Sequence, residues 1–372
     1  MDRPDAGREL LGLFPAFEAA GGVQASGRLA WEGIADSPLW GSYFFCYGGK
    51  MADWRGQGVN GPPVSGLQST APEAVYAASK LSAIVTLLRK RWPVRLVLVW
   101  HLGLLKLLPF LRVSGAKVVL FLHGIEAWKP RVLLTHSLLR RVDLFLSNSD
   151  YTWQRFVQAN PTYAHAPHQT VHLGIEDLVN GDIPAPGNPP AALMLSRLVR
   201  SEDYKGHREM INAWCLVLKH IPKAELWIAG DGDLRPILDA LAKERGLGGK
   251  VRFWGWVSEE KKQELLSHCR CLALPSCGEG FGLVYLEALR AGRPCLVSTL
   301  DAGRGVVNPP EAGLAVNPDD FKEVAAALCR LLSDGPEWKA WSTQARQRYE
   351  RYFTAKHFQE RLISALFSSC EV

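Results

Sequence analysis

The sequence predicts an α/β chain of two doubly wound, Rossmann-like domains, each a parallel sheet wrapped by helices. Three observations carry this. Short apolar runs of strand length alternate with segments of helical period along most of the chain, the pattern of parallel strands joined by crossover helices. The chain has 372 residues, more than one hydrophobic core usually organises, so two domains of roughly 180 residues each are expected. Residues 183–190, IPAPGNPP, hold four prolines, one glycine and no charge, a stiff stretch of the kind that separates domains.

In the first half the strand-like runs are LLGLFPAF (10–17), SYFFCY (42–47), VRLVLVWH (94–101), KVVLFLHG (117–124), DLFLSNS (143–149) and TVHLGI (170–175). The apolar stretch 96–111 contains His101, Gly103, Lys106 and Pro109 and is shorter than the 18 to 20 residues a membrane span needs, so it reads as a strand followed by a short helix. After the linker the alternation resumes with AALMLSR (191–197), AELWIAG (224–230), KVRFWGW (250–256), CRCLALP (269–275) and RPCLVS (293–298). Beyond Asp319 the pattern is helical to the end. The expected domains are therefore 1–182 and 191–353, with 183–190 as hinge. Ligands of open parallel sheets collect beyond the carboxyl ends of the strands, so two such sheets facing each other would define a central cleft.

Composition excludes several classes. Hydrophobic content of 47% and charged content of 22% are those of a globular chain, and no fixed-period repeat marks a solenoid. Eight cysteines lie scattered, mostly inside apolar runs, where they read as small buried hydrophobes in a reducing compartment. Cys269 and Cys271 lie two apart with no second Cys/His pair nearby, so a zinc site is not expected. The N-terminal MDRPDAGRELLGLF lacks the basic start and long apolar core of a secretory leader. A cytoplasmic location, with peripheral attachment at the inner face of the cell membrane, is expected. Charge is uneven: residues 80–141 carry twelve Lys/Arg against the single acid Glu126, or +11 within a chain of net +6. Such a block is equally consistent with a solvated basic face and with attraction to anionic lipid. Nucleic acid is not an expected partner, because the aromatics here sit in apolar runs and not in a basic stacking array.

The most specific stretch is 275–298, PSCGEGFGLVYLEALRAGRPCLVS. An apolar strand precedes it, SCGEGFG is a loop, and LVYLEALRAG is a helix closed by Gly292. A helix starting after a strand points unpaired N–H groups outward with positive dipole character, and Gly280 and Gly282 remove side chains that would block an anion. Glu279 in the loop and Glu287 on the helix flank this diphosphate-type seat. Carboxylates do not bind phosphate. They accept hydrogen bonds from hydroxyls, such as those of sugars on either side of a diphosphate.

The run EGFGLVYLE resembles the E-x7-E signature of retaining, nucleotide-sugar-dependent glycosyltransferases of family 4 (glycosyl transferase group 1), which have the GT-B fold. The resemblance implies that Glu279 contacts the donor sugar, Glu287 the ribose, and the amides around Phe281, Gly282 and Leu283 the diphosphate. It also implies that a C-terminal helix, 354–372, packs back on the first domain. In SRLVRSEDYKG (196–206), Arg197 and the pair Lys205-Gly206 match the family pattern of an Arg after the strand and a Lys-Gly beyond it. A planar guanidinium and a compact ammonium suit a departing diphosphate, whose negative charge grows as the glycosidic bond breaks. Gly255, Trp256 and Val257 resemble the family's loop beside the nucleotide base, although Trp256 also reads as a core residue. Gly21 and Gly22 match a Gly-Gly loop that closes over the donor.

His123, at the end of an apolar strand, matches a family histidine near the donor hexose and acceptor hydroxyl. Glu126 is a candidate to orient the acceptor or His123. Asn148 and Ser149 resemble an acceptor-side strand-end motif, with a helix N-cap by Ser149 the alternative. Asp231-Gly-Asp233 satisfies a D-x-D pattern used elsewhere for metals. It opens a helix, however, where Asp233 is expected as N-cap, and Arg197 with Lys205 fills the charge role, so no metal and no cofactor are expected.

The implied reaction is transfer of a hexose from a nucleoside-diphosphate sugar to a glycan or lipid-linked saccharide, with retention and in envelope or exopolysaccharide synthesis. No carboxylate is free as a nucleophile, which favours same-face attack assisted by the leaving diphosphate. Two other classes remain open: a GT-B-fold epimerase of sugar nucleotides, and a non-catalytic membrane-associated assembly module.

Overall fold

The computed structural model describes residues 9–17, 21–37, 41–47, 74–77, 79–130, 133–177 and 182–371. The chain divides into two compact units, residues 1–174 with 355–372, and residues 175–354.

The first unit contains β1 (Glu9–Pro15), α1 (Gly22–Asp36), β2 (Gly41–Tyr47), β3 (Ala74–Ala77), α2 (Lys80–Arg89), β4 (Leu96–Val99), β5 (Lys117–Leu122), α3 (Leu133–Leu139), β6 (Leu144–Ser147), α4 (Asp150–Ala159) and β7 (His168–Thr170). All seven strands are parallel, in the order β3-β2-β1-β4-β5-β6-β7. Helices on both faces bury the central strands, which is why β4, LVLV, is apolar at every position and buried throughout. Residues 102–110, rich in leucine but holding Gly103 and Pro109, form a 3-10 turn and not an α-helix. The run TVHLGI contributes only its first residue to a strand. Val171 makes one last bond to Ser147 O at 2.8 Å, and the chain then departs toward the second unit.

The second unit contains β8 (Ala191–Leu195), α5 (His207–His220), β9 (Glu225–Ala229), α6 (Arg235–Glu244), β10 (Val251–Gly255), α7 (Glu259–His268), β11 (Cys271–Leu274), α8 (Leu283–Arg290), β12 (Cys295–Ser298), α9 (Gly303–Val307), β13 (Gly313–Val316), α10 (Phe321–Leu332) and α11 (Pro336–Tyr352). Its six parallel strands run β10-β9-β8-β11-β12-β13. Strands β3 (AVYA) and β13 (GLAV) are not among the runs read from sequence: each is apolar but short, and periodicity does not tell so short an apolar stretch from a helical one.

The prolines of 183–190 fall inside the second unit, after the contact boundary at 174/175. Three bonds hold them there: Arg293 Nη2 to Pro184 O at 2.5 Å, Gly187 N to His268 O at 2.8 Å, and Glu225 N to Pro190 O at 3.0 Å. Burying a guanidinium requires acceptors for its donors, and Arg293, fully buried, takes carbonyls of this segment and of Leu266 and Ser267. The last helix, α12 (Ala355–Glu371), returns to the first unit and packs on α1. There Gln359 Nε2 donates to Leu29 O at 2.9 Å, and Phe358 is buried with its ring 6.4 Å from that of Trp100. Among the described residues, no helix is long and apolar enough to cross a membrane.

Candidate active site

In the second sheet the strand order reverses between β8 and β11, its first and fourth strands along the chain. Ligands of doubly wound sheets bind beyond the carboxyl ends of strands at such a reversal. The loops that leave these two neighbouring strands are 196–206 and 275–282, which contain Arg197, Lys205 and Glu279.

Backbone contacts stitch the two loops together. Cys277 N donates to Tyr204 O at 2.9 Å, and the Tyr204 ring lies against Gly278. Gly206, at φ 83°, sits so close to Pro275 that a Cβ would stand 2.6 Å from its carbonyl oxygen. A left-handed residue in that space has to be glycine. Lys205 is thereby held over the second loop, with Nζ 3.1 Å from Glu279 Oε1 and 3.4 Å from Glu202 Oε2. Glu202 Oε1 in turn pairs with Arg197 Nη2. Four charged groups thus form one chain, Arg197–Glu202–Lys205–Glu279. Burial works against the Lys205 charge, but Glu279 and Glu202 outweigh it and hold the ammonium above its usual pKa. Arg197 is 71% exposed, whereas Glu202, Lys205 and Glu279 are 12 to 15% exposed.

Glu202 was not anticipated from sequence. The only signal was its place inside SRLVRSEDYKG, where a glutamate three residues before a lysine in a turn resembles any surface pair.

Beneath the second loop lies Asp301, after β12 and 3% exposed. Burial drives its pKa up to about 8, with the nearby Glu279 charge adding to the effect, so the group is largely protonated at neutral pH. Its Oδ1 accepts from Gly303 N at 2.9 Å, and the adjacent Ala302 N donates to Glu279 O at 3.1 Å. The backbone of Glu279 is therefore fixed from below by the β12 loop.

Helix α8 begins at Gly282, φ 87°, where a Cβ would meet the buried Tyr285 ring at 2.4 Å. Phe281 is buried, its ring edge-on to Phe353, so its side chain serves the packing of this loop. Glu287, on α8, pairs with Lys262 Nζ at 2.6 Å, and Lys262 also reaches Glu259 at 2.8 Å. Lys262, like Lys205, is a half-buried ammonium whose pKa rises because two carboxylates overcome its burial.

Gly255 closes β10 and its carbonyl accepts from Gly230 N at 2.8 Å. The next residue, Trp256, is 79% exposed, which corrects the core alternative for it. The strand ends one residue earlier, so the indole passes beyond the sheet's apolar layer. Val257 is partly buried.

The two aspartates of GDGD face separate cations. Asp231 pairs with Arg235 at 3.2 Å, while Asp233 Oδ1 accepts from Arg200 N at 2.9 Å. Asp233 is therefore not the cap of α6: that helix starts at Arg235 behind Leu234, one residue too late for Asp233 to reach its first amides.

A second group of expected residues gathers within the first unit. Gly21 and Gly22 sit at the start of α1, following β1. Trp100 Nε1 donates to Val23 O at 3.0 Å, and the Trp100 carbonyl accepts from His123 Nε2 at 2.6 Å. A carbonyl accepts only, so the contact assigns the proton to Nε2 and leaves Nδ1 as an acceptor. Burial lowers the His123 pKa to about 4, despite the opposing charge of Glu126. The ring is neutral at pH 7.

Glu126 Oε1 takes the N–H groups of His123, at 2.7 Å, and of Gly124, at 3.1 Å. The buried Asn148 donates from Nδ2 to His123 O. Ser149 Oγ accepts from Thr152 N at 3.1 Å and caps α4. Glu126 and Asn148 thus bracket the His123 peptide from both sides. A cavity of about 210 Å³, lined by His101, Lys106, Glu126 and Thr135 among others, adjoins them.

Residues 189–334 match the family model described as "Glycosyl transferases group 1". A phosphatidyl-myo-inositol mannosyltransferase from Mycolicibacterium smegmatis is 33% identical over 153 residues, 41% of this chain and 39% of that protein. A GDP-mannose-dependent monoacylated alpha-(1-6)-phosphatidylinositol monomannoside mannosyltransferase from Corynebacterium glutamicum is 27% identical over 68% of this chain and 71% of its own length. Against three curated relatives at 30% identity or better, the chain spans only 33 to 43% of their length. Among solved structures, a glycosyltransferase from Rickettsia africae superposes with a TM-score of 0.73 at 15% identity, covering 98% of this chain and 99% of that one. HepE from Anabaena, solved in complex with UDP and glucose, gives 0.71 at 16% identity over 96% and 99%. At such identities the likeness establishes architecture: the chain has the GT-B fold.

Proposed function

We propose that this chain is a retaining, metal-independent glycosyltransferase of family 4. It moves a hexose from a nucleoside-diphosphate sugar to a glycan or lipid-linked acceptor in envelope or exopolysaccharide assembly. The observation that carries the reading is the Lys205–Glu279 contact, with Arg197 two residues beyond β8, at the strand-order reversal of a sheet whose domain matches the group 1 model. Three further features support it: the glycine-led start of α8, the GT-B architecture, and relatives whose names include mannosyltransferases of lipid acceptors.

In this reading Arg197 and Lys205 take the diphosphate and offset the negative charge that builds on it as the glycosidic bond breaks. Lys205 suits that task because its neighbours keep it charged. The amides of Gly280, Phe281, Gly282 and Leu283 receive phosphate oxygens. Glu279 accepts from hexose hydroxyls and Glu287 from the ribose, each exchanging a lysine contact for a sugar one. Trp256, with Gly255 and Val257, offers a flat apolar surface to the base.

In the first unit, Gly21 and Gly22 offer backbone amides at the start of α1 to a phosphate. Neutral His123 presents Nδ1 to a hydroxyl, and Glu126, Asn148 and Ser149 shape the acceptor side. Attack occurs on the face that the diphosphate leaves, and the leaving oxygen takes the acceptor proton. Two cations supply the charge that a divalent metal would otherwise bring.

The basic stretch 80–141 serves as an anionic-membrane contact. Within it, α2 exposes Leu81 and Leu88 beside Arg89 and Arg91, a pairing suited to an interface with lipid.

The test is a thermal-shift panel of UDP, GDP and ADP sugars with the wild type and Lys205→Ala. A ligand at about 100 times its Kd adds roughly 2.7 kcal/mol. One nucleotide should stabilise the wild type and not the variant, and product analysis with acceptor should give a retained glycoside. No response to any nucleotide, or an equal one from the variant, would remove the assignment. Turnover without acceptor would favour the epimerase instead.

A further inference from the structure

The cation pair that would receive the diphosphate is already occupied. Glu202 lies in the 3-10 turn 200–205 with a non-helical backbone, φ −118°, ψ 22°, which turns its carboxylate back across the loop. One oxygen takes the Arg197 guanidinium and the other lies 3.4 Å from the Lys205 ammonium. Counting Glu279, two cations face two carboxylates, so the resting cluster has no net charge. A diphosphate brought onto a neutral seat that still holds a carboxylate between its cations gains little and meets repulsion.

We propose, resting on the donor-site reading above, that Glu202 is a specificity-determining residue, an internal anion that must be displaced before a phosphate ligand can bridge Arg197 and Lys205. Its carboxylate imposes a threshold. A diphosphate, with more charge and enough oxygens to span both cations, replaces it. A monophosphate, which brings less negative charge and fewer oxygens to set against the displaced carboxylate, does not. The geometry permits the exchange, because Arg197 is 71% exposed and its side chain can follow the ligand outward as Glu202 rotates to solvent.

The experiment is calorimetric titration of the intact chain with inorganic pyrophosphate and with inorganic phosphate. The proteins are wild type, Glu202→Gln, Glu202→Asp and Lys205→Ala, each first checked for an unchanged thermal transition. Glu202→Gln keeps the shape but leaves the cluster at +1. It should bind pyrophosphate about tenfold more tightly, the scale of one close charge contact, with a smaller preference for pyrophosphate over phosphate.

Glu202→Asp is one methylene too short to reach both cations and should fall between wild type and Glu202→Gln. It also serves if the glutamine variant misfolds. Unchanged or weaker pyrophosphate binding by both Glu202 variants, or an undiminished preference for pyrophosphate, overturns the inference. If Lys205→Ala binds pyrophosphate as the wild type does, the donor-site reading itself fails. If Lys205→Ala loses binding while the Glu202 variants match wild type, only the role of Glu202 is lost.

Discussion

At the scale of single residues, the second unit's site is a set of charges held by their neighbours' burial. Asp301 illustrates the cost. Its folded pKa, about 8, lies above that of an unfolded aspartate, so the native state keeps a proton that the unfolded chain releases. The stability tied to that proton is complete below about pH 4 and declines as pH rises toward 8, by at most ~1.4 kcal/mol per pH unit. Asp301→Asn, which cannot ionise and keeps an acceptor for Gly303 N, should therefore gain on the wild type between pH 5 and 8. Its melting-temperature advantage should be larger at pH 8 than at pH 5.5. A constant difference would mean that Asp301 is ionised in the fold.

The catalytic candidates belong to the same scale. Arg197→Ala, Lys205→Ala and Glu279→Ala should each lower turnover by about 10² or more, as expected for loss of a preorganised charge partner. Wild-type-like rates in all three would end their assignment. These positions are candidates from sequence because E-x7-E and the Arg…Lys-Gly spacing occur together in one half of the chain. Glu202 and Lys262 are not, since Glu202 looks like any surface charge until the path of its own loop is known and Lys262 until the helix carrying Glu287 is placed beside it.

At the scale of elements, glycines set how closely loops approach. Gly206 joins a 3-10 turn to α5 and touches Pro275, and Gly282 opens α8 against Tyr285. Gly206→Ala combines an unfavourable left-handed backbone with a 2.6 Å clash against a carbonyl. It should cost about 1–3 kcal/mol and weaken nucleotide binding by moving the 275–282 loop off Lys205. Gly246, at φ 69° but with open space around it, is the control: Ala there should show the backbone cost alone.

Most elements were legible because strands buried on both faces are apolar along their length, as β4 and β8 are at every position and β9 is after Glu225. The misread ones had another cause. TVHLGI is apolar because it packs as the chain leaves the sheet, and Asp233 does not cap α6, because that helix begins a residue later than the aspartate suggests, but takes the first amide of the 200–205 turn instead.

At the scale of the whole molecule, the chain's last helix completes its first unit. Phe358, Leu362 and Leu366 are buried, and the nearest partners described for them, Trp100 and α1, lie more than 200 residues earlier. Phe358→Ala should cost about 3–5 kcal/mol and should lower the unfolding transition of the first unit. Nucleotide-dependent stabilisation of residues 175–354 should persist. Hydrogen exchange resolved by peptide distinguishes the two units, and equal loss of protection in both would contradict this division of labour.

Alternation, length and one nine-residue signature were sufficient to determine two parallel α/β layers and to mark the loops proposed to carry chemistry, because burial on both sheet faces and helix-start chemistry are local requirements. The unit boundary at 174/175, the burial of Asp301, the exposure of Trp256 and the occupation of the cation pair by Glu202 were decided by tertiary structure. The boundary and the burial of Asp301 depend on which distant segment supplies a partner, as Arg293 does for the proline-rich stretch, whereas Glu202 and Trp256 depend on the path of their own loops, and no residue encodes either alone.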